Sequence, residues 1–498
     1  MDLLGSATIF LAICLACLFV LSAWRRKIYG TKNLPPGPMP LPIIGNFLEL
    51  KAKNVPSSLS LHSRPYGPVF TVYYGSDRVV VLYGYDVVKE VLVNRGDEFI
   101  NRGSFPSADV NNKGLGIVSS YGERWAQIRR FSLTTLRNFG MGKKGIEERI
   151  QDEAEYLREE LKAKKGQPCH PALLFSSATA NIISHVLLGE RFDYNDQEYQ
   201  KILHLLISSF RLEISRFSLP LQLYNIFPRI MDLLPGPHKT FFKNLHDVQA
   251  FISKRVKAHE ETFDPNVLRD YVDAFLLKME QEKHNPQTEF TRENLAMTVY
   301  DIFIAGTETG STSLRYFLLV LLEHPDVEAK IHAEIDRTIG RDRLPSIKDR
   351  IEMPYTEAVI HELQRYIDLI PLGLTRLVQK ETQIRGYTIP KGSTIYPILS
   401  SALHDSNQFE NPRKFCPEHF LDDKGAFKKN SADMPFSAGK RNCLGEGLAR
   451  MQLFLFLTTI LQSFRLKHPP GVTQIDLTPD VSGFGNIPRP HLLCFVPR

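Results

Sequence analysis

The chain begins with an unbroken apolar run. Leu3 to Trp24 (LLGSATIFLAICLACLFVLSAW) carries no charge. At ~1.5 Å per residue it reaches roughly 30 Å, the thickness of a bilayer core. Asp2 precedes it, and Arg25, Arg26 and Lys27 follow it. That asymmetry keeps the basic side, and the body behind it, in the cytosol. No basic leader and no small-residue cleavage site accompanies the run, so residues 1–24 read as an uncleaved anchor and not as a signal peptide. Residues 25–46 read as a basic linker and hinge, because PPGPMPLPIIGN holds five prolines in eight residues. Such a stretch cannot be helical and acts as a stiff spacer.

Beyond the hinge the period changes twice. PVFTVYY and RVVVLYG flank a GSD turn and predict a hairpin. From Tyr85 onward helical spacing dominates. GERWAQIRRFSL, KKGIEERIQDEAEYLREELKAKK, TRENLAMTVYDIFIAGTETGSTSLRYFLLVLLEH and the segment from Leu444 are helix-periodic. QIRGYTIP and HLLCFVP are short extended pieces. The expectation is one mainly α body with a small β region over 47–498, with no internal repeat or linker. FSLPLQLYNIFPRIMDLLPGP, Phe217 to Pro237, is apolar but broken by prolines. It is too interrupted to span a membrane, and it reads either as a second interfacial contact or as a core-facing loop.

Composition narrows the classes. The chain has 498 residues and a mild net charge of +6, with no basic stripe interleaved with aromatics, which argues against a nucleic-acid partner. Six cysteines, unevenly spaced, make no disulfide framework and suit a reducing compartment. Cys14 and Cys17 form a CxxC inside the apolar run, where nothing would lower a thiol pKa. GLGIVSS and GEGLAR do not complete a dinucleotide fingerprint, and there is no P-loop or zinc-ligand spacing.

Cys443 stands apart, in FSAGKRNCLGEG at the mouth of an apolar helix. A helix N-terminus stabilises a thiolate. Gly439 and Gly445 remove side chains where something flat could approach, and Arg441 offers a fork for a carboxylate. The set fits a thiolate on a haem iron with the arginine on a propionate. A buried structural cysteine is the other reading of a lone Cys.

FSAGKRNCLG, Phe436 to Gly445, resembles the haem-binding signature of the cytochromes P-450, Phe-x-x-Gly-x-Arg-x-Cys-x-Gly, at every fixed position. The resemblance spans the whole chain and is nearest to family 2, subfamily C, through FSLTTLRNFGMGKKGIE, MPYTEAVIHELQRYIDL and MPFSAGKRNCLGE. It implies a triangular helical body around haem b, with Cys443 on the iron and Phe436, Gly439, Arg441 and Gly445 shaping its loop. In HELQRY, Glu362 and Arg365 share a helix face. Spacing alone reads them as a surface ion pair, whereas the resemblance makes them a structural triad with His419, where other branches have arginine. In AGTET a glycine and two threonines interrupt a good helix. The resemblance makes Glu308 and Thr309 the proton-delivery pair, with a kink leaving room for dioxygen. It also puts Trp125 and Arg129, with Arg102 and Arg376, on the propionates.

The implied activity is monooxygenation of apolar molecules such as arachidonic acid and other fatty acids, steroids and drugs, at the endoplasmic reticulum membrane. NADPH acts indirectly through NADPH–cytochrome reductase, with cytochrome b5 as an accessory donor, and O2 is co-substrate. Arg130, Arg137, Lys143, Lys144 and Lys440 are candidates for the docking face. The implied substrate pocket is Phe105, Val118, Ile302, Ala305, Leu374 and Phe484. Ile304, Gly310, Glu213, Arg216 and Ser119 depart from the relatives' pattern, so no relative's substrate carries over. A reductase-independent haem-thiolate isomerase or a non-catalytic lipid or haem carrier are the other classes. An intact Glu308–Thr309 pair argues against both.

Overall fold

The structure is a computed structural model that describes residues 33–50, 54–103, 106–138, 144–214 and 219–498, together with Ser22. The apolar run of the anchor therefore falls outside the described residues, apart from that serine. Among the described residues no helix is long and apolar enough to cross a membrane.

The longer helices follow the expected periodicity. Among them are α1 (Val55–Tyr66), α2 (Gly122–Asn138), α3 (Lys144–Ala163), α4 (Ala172–Leu188), α5 (Gln197–Ile214), α6 (Pro237–Glu261), α7 (Arg292–Leu322), α8 (Pro354–Ile367) and α9 (Glu446–Ser463). Local chemistry sets their starts. Asn54 caps α1 by accepting from the Ser57 amide at 3.1 Å, and Thr291 caps α7 by accepting from Asn294 at 3.2 Å. Proline fills the first turn of α6 and α8, where its missing N–H costs nothing. α4 is buried from Phe175 to Ser184 without a break, its small polar residues included. It lies along α7, and with α3 and α9 the two form the main core. Phe175, Phe303, Phe317, Phe454 and Phe456 are fully buried there.

The predicted hairpin is β1 (Val69–Tyr74) and β2 (Asp77–Leu82), antiparallel with Val69 opposite Leu82. It extends into a four-stranded sheet in the order β1-β2-β6-β3, where β3 is Arg376–Leu377 and β6 is Thr394–Pro397. QIRGYTIP forms the hairpin of β4 (Thr382–Ile384) and β5 (Tyr387–Ile389). β7 (Phe464–Lys467) pairs antiparallel with the C-terminal Cys494–Pro497 strand. The proline-rich segment docks on β1. Thr71 donates from its amide to the Pro36 carbonyl at 2.8 Å and from its hydroxyl to that of Pro35 at 3.0 Å. A Cβ on Gly37 would lie 1.9 Å from the Thr71 carbonyl oxygen, so only glycine permits this approach.

Candidate active site

Cys443 sits three residues before α9, in a loop closed by its own amide donating to the Phe436 carbonyl at 2.9 Å. Arg450 holds the Phe436 ring, with its Cζ 5.0 Å from the centroid. The cysteine side chain is exposed by area. Yet burial pushes its thiol up, against the amides of Gly445 and Glu446 and the charge of Arg129. Both hold when the sulfur borders an internal space and not bulk solvent. Ala305 gives the same signal, being exposed in the middle of α7 between the buried Phe303 and Thr307. The two loop glycines have different jobs. A Cβ on Gly439 would meet the Leu92 carbonyl oxygen at 1.8 Å, so this glycine serves chain packing. A Cβ on Gly445 would meet nothing nearer than the Cys443 sulfur at 4.0 Å, so here the backbone is open to a flat group.

Two guanidinium groups, Arg441 and Arg129, lie against Trp125, and Arg376 acts on Arg441. Arg441 lies 4.0 Å from its ring and donates to the carbonyls of Ile100 (2.8 Å) and Ser120. Arg129 lies 5.8 Å from the ring and donates to the carbonyl and side chain of Asn442, both at 2.8 Å. Arg102 donates to the carbonyls of Val118 (3.1 Å) and Thr375 (3.4 Å). Arg376, carried on β3, is buried with Nη1 unpartnered, and Trp125 Nε1 is unpartnered too. None of the four pairs with a carboxylate among the described residues. Burial, Arg376 and Arg129 push Arg441 down to about 8, and burial pushes Arg376 down to about 10. Two buried and two half-buried cations without a carboxylate imply an anionic partner. Orphaned donors, an open glycine and an inward cysteine together fit a haem with its propionates on the arginines and its iron at Cys443.

Sequence reasoning missed the acceptors that shape this region. Asp301 takes the amides of Ile117 (2.8 Å) and Val118 (2.9 Å), and Asn294 takes that of Gly116 (2.9 Å). A lone acid within the apolar VYDIFIAG stretch was the available signal.

α7 stays helical through AGTET, so its glycine and threonines do not end the helix. The hydroxyls of Thr307 and Thr309 bond back to Phe303 (2.7 Å) and Ala305 (2.6 Å) within the helix. Gly306 packs the helices together, since a Cβ there would lie 2.5 Å from Ile183 Cδ1. Gly310 likewise faces Thr179. Glu308 is turned toward α4, accepting from the Ser176 hydroxyl at 3.0 Å. Burial pushes its carboxyl up to about 7 against Arg315 and that hydrogen bond.

Of the pocket candidates, Val118, Ile302, Leu374 and Phe484 are half-buried. Ser119 accepts from Asn112 at 2.7 Å, and Ile304 packs on the core. Phe105, Lys143 and Arg216 lie outside the described residues, as do the side chains of Lys144 and Glu213. Arg130 and Arg137 are exposed on α2, and Lys440 pairs with Asp97.

Glu362 and Arg365 are not a surface pair. Both are fully buried, joined by two hydrogen bonds of 2.7 Å. Arg365 also donates to the carbonyls of Leu403, Pro412 and Lys414. His419 Nδ1 meets Glu362 at 3.1 Å while Nε2 meets the Glu410 carbonyl at 2.6 Å.

A family model described as cytochrome P450 matches residues 35–495. Similar curated proteins include cytochrome P450 2C11 of Rattus norvegicus, 52% identical over 98% of this chain and 97% of the relative. Cytochrome P450 2C44 of Mus musculus is 51% identical and cytochrome P450 2H2 of Gallus gallus 50%, each over the full length of both chains. These relatives bear out family 2, with subfamily C among them.

Proposed function

Because the chain belongs to the cytochrome P450 family of haem-dependent monooxygenases, we propose that it inserts one oxygen atom of O2 into apolar small molecules by hydroxylation or epoxidation. Fatty acids such as arachidonic acid, steroids and drugs are the substrate classes. The observation that carries the reading is the inward Cys443 with four guanidinium groups that have no carboxylate among the described residues, Arg376 and Arg441 buried and Arg102 and Arg129 half-buried.

When bound, the haem supplies the iron centre at which dioxygen is reduced, and thiolate ligation favours O–O cleavage. Cys443 must be deprotonated to ligate. The amides of Gly445 and Glu446 and the charge of Arg129 favour that form. Arg102, Arg129, Arg376 and Arg441, with Trp125, hold the propionates. The Thr309 hydroxyl donates to Ala305, which leaves its oxygen free to accept from water. Glu308, at about 7, exchanges its proton readily at neutral pH. Val118, Ile302, Leu374, Phe484 and Phe105 select by shape.

Electrons come from NADPH through cytochrome reductase, with cytochrome b5 as accessory, docking by the exposed Arg130 and Arg137 of α2. The endoplasmic reticulum membrane is reached through the residue 1–24 anchor, with the 25–46 hinge orienting the catalytic body of 47–498. A second contact is supported by exposed Ile230, Leu233 and Leu234 beside exposed Met39, Leu41 and Ile43. Gly75 joins the two sets, because its Cβ direction meets both Ile226 and the Ile43 carbonyl.

The test measures product, NADPH and peroxide together with reductase present. Thr309→Val should keep substrate binding and the carbon-monoxide spectrum, while product falls by roughly 10²-fold and peroxide rises. Unchanged coupling in this variant would make Thr309 a packing residue. No reductase-dependent NADPH use in the unaltered protein would favour the isomerase or carrier.

A further inference from the structure

The C-terminal end of α8 should leave its last carbonyls unsatisfied, because no further helical turn follows to donate to them. Asp368 caps the helix in the left-handed region, at φ 47°, with its amide donating back to the Gln364 carbonyl at 3.3 Å. The three carbonyls at this turn are nevertheless all taken, and by one residue from near the C-terminus. The Asn486 side-chain amide donates to Ile367 at 3.1 Å and to Asp368 at 2.7 Å, while its backbone N–H donates to Leu369 at 2.9 Å. Asn486 is 7% exposed, so these bonds are made in a low-dielectric setting.

What lies on each side of this junction gives it a purpose. Asn486 opens β9 (Asn486–Ile487), which pairs antiparallel with β8 (Val481–Ser482). Phe484 is the tip of that hairpin, in a turn where the Gly483 amide donates to the Gly485 carbonyl at 3.1 Å. The hairpin also meets α5, through Ile487 packed on Phe210 and Asp480 ion-paired to Arg211. On the other side, Leu369 begins the segment that carries Leu374 and runs into β3 and Arg376. That segment is fixed independently on its far side. The Ser400 amide donates to the Pro371 carbonyl at 2.9 Å, and a Cβ on Gly373 would meet the Pro397 carbonyl oxygen at 2.9 Å.

The chemistry at position 486 admits few substitutes. Both side-chain partners are carbonyls, so the residue must donate twice, which a carboxylate cannot do. The carboxyl of Asp368 is itself buried, and burial pushes it up to about 7 against Ser400, Arg413 and Arg365. A second acid beside it would add like charge as well as losing the donors.

We propose that Asn486 is a positioning residue for substrate selection: it fixes the gap between the Phe484 and Leu374 walls and so sets the breadth of guest that the pocket takes. The proposal rests on the reading of those two residues as pocket walls. Asn486 itself need touch no substrate. Its side chain ties the base of a hairpin tip to a turn 118 positions away, and a misplacement of about 1 Å at a reacting centre can change a rate by about 10²-fold.

The experiment uses the full-length holoenzyme in the ferric state and two probes that bind haem iron through nitrogen, imidazole and 4-phenylimidazole, each followed by its shift of the Soret band. Imidazole is small enough to ignore the walls, whereas the phenyl ring must fit between them. The ratio of the two dissociation constants therefore reads the gap without turnover. Asn486→Ala should raise the 4-phenylimidazole constant by about tenfold and leave the imidazole constant and the ferrous carbon-monoxide band as they are in the unaltered protein. Asn486→Asp keeps the size but loses both donors, so it should do the same, and it decides the matter should the alanine variant fail to fold. Phe484→Ala, which removes a wall directly, should raise the ratio as well. A ratio that rises in Phe484→Ala but not in the Asn486 variants would overturn the proposal, even if their melting temperatures fell, and would make Asn486 a folding residue only. A ratio unmoved by Phe484→Ala would overturn the reading of Phe484 as a wall, and the proposal with it.

Discussion

Two groups of buried arginine stand in this molecule, and they are solved in opposite ways. Around Arg365 every charge has its partner within the chain: Glu362 bidentate, three carbonyls, and His419 on the far side of the carboxylate. In the group of Arg102, Arg129, Arg376 and Arg441, three guanidinium groups have carbonyls and an asparagine, none has a carboxylate among the described residues, and Arg376 Nη1 and Trp125 Nε1 have nothing. A self-contained cluster holds the fold together. A cluster with surplus cation opposes folding until an anion arrives. The difference separates structure from function without reference to any ligand.

The comparison breaks first at Arg365. Arg365→Ala strips the buried Glu362 of its bidentate guanidinium and leaves it only His419 and the Cys416 amide, at a cost of about 3–5 kcal/mol. Expression of folded protein, followed by helical circular dichroism, should collapse; retention of a native melting curve would show that the pair is dispensable. Cys443→Ala should do the reverse. It leaves helical content intact and abolishes the red-shifted Soret band of the ferrous carbon-monoxide form, and a persisting band would remove Cys443 as the ligand. Arg376→Leu sharpens the contrast. In haem-stripped protein it should raise the melting temperature, by about 1–2 kcal/mol of stability, because it deletes a buried cation that lacks a partner. The same variant should release haem faster from the loaded protein. A destabilised haem-free form would mean that Arg376 is paired after all.

The smallest effect concerns His419. Burial works against its charge, but Glu362 and the Glu410 carbonyl outweigh it, and its pKa is raised. A raised histidine contributes stability that is fully present below about pH 6.5 and is lost as pH rises through its folded value. His419→Arg keeps the charge at all pH values. Denaturation midpoints should fall less steeply toward alkaline pH in this variant than in the unaltered protein, and parallel slopes would exclude His419 as the titrating group.

Much of this could be read along the chain. Helical period, the hairpin turn and the Cys443 loop are local properties, and each stands where its residues put it. What could not be read depends on which face another element covers. Spacing puts Glu362 and Arg365 on one side of α8 but not under the loop that buries them. Gly306 looks like a helix defect until Ile183 is seen against it. Gly439 and Gly445 are equivalent as letters, yet one meets a carbonyl and the other open space. The direction of Glu308 is set by Ser176, 132 positions away.

The carboxylate of Asp301 has a consequence for how the protein responds to what it binds. It pins the amides of Ile117 and Val118, while the carbonyls of Val118 and Ser120 receive Arg102 and Arg441. One short loop thus carries Val118, proposed as a wall of the substrate pocket, and tethers two cations. A bulky guest that pushes Val118 outward strains the same backbone that sets those charges in place. On the proposed reading, this backbone would gear occupancy of the pocket to the potential at a bound haem, so guests of different girth should tune the redox midpoint by different amounts.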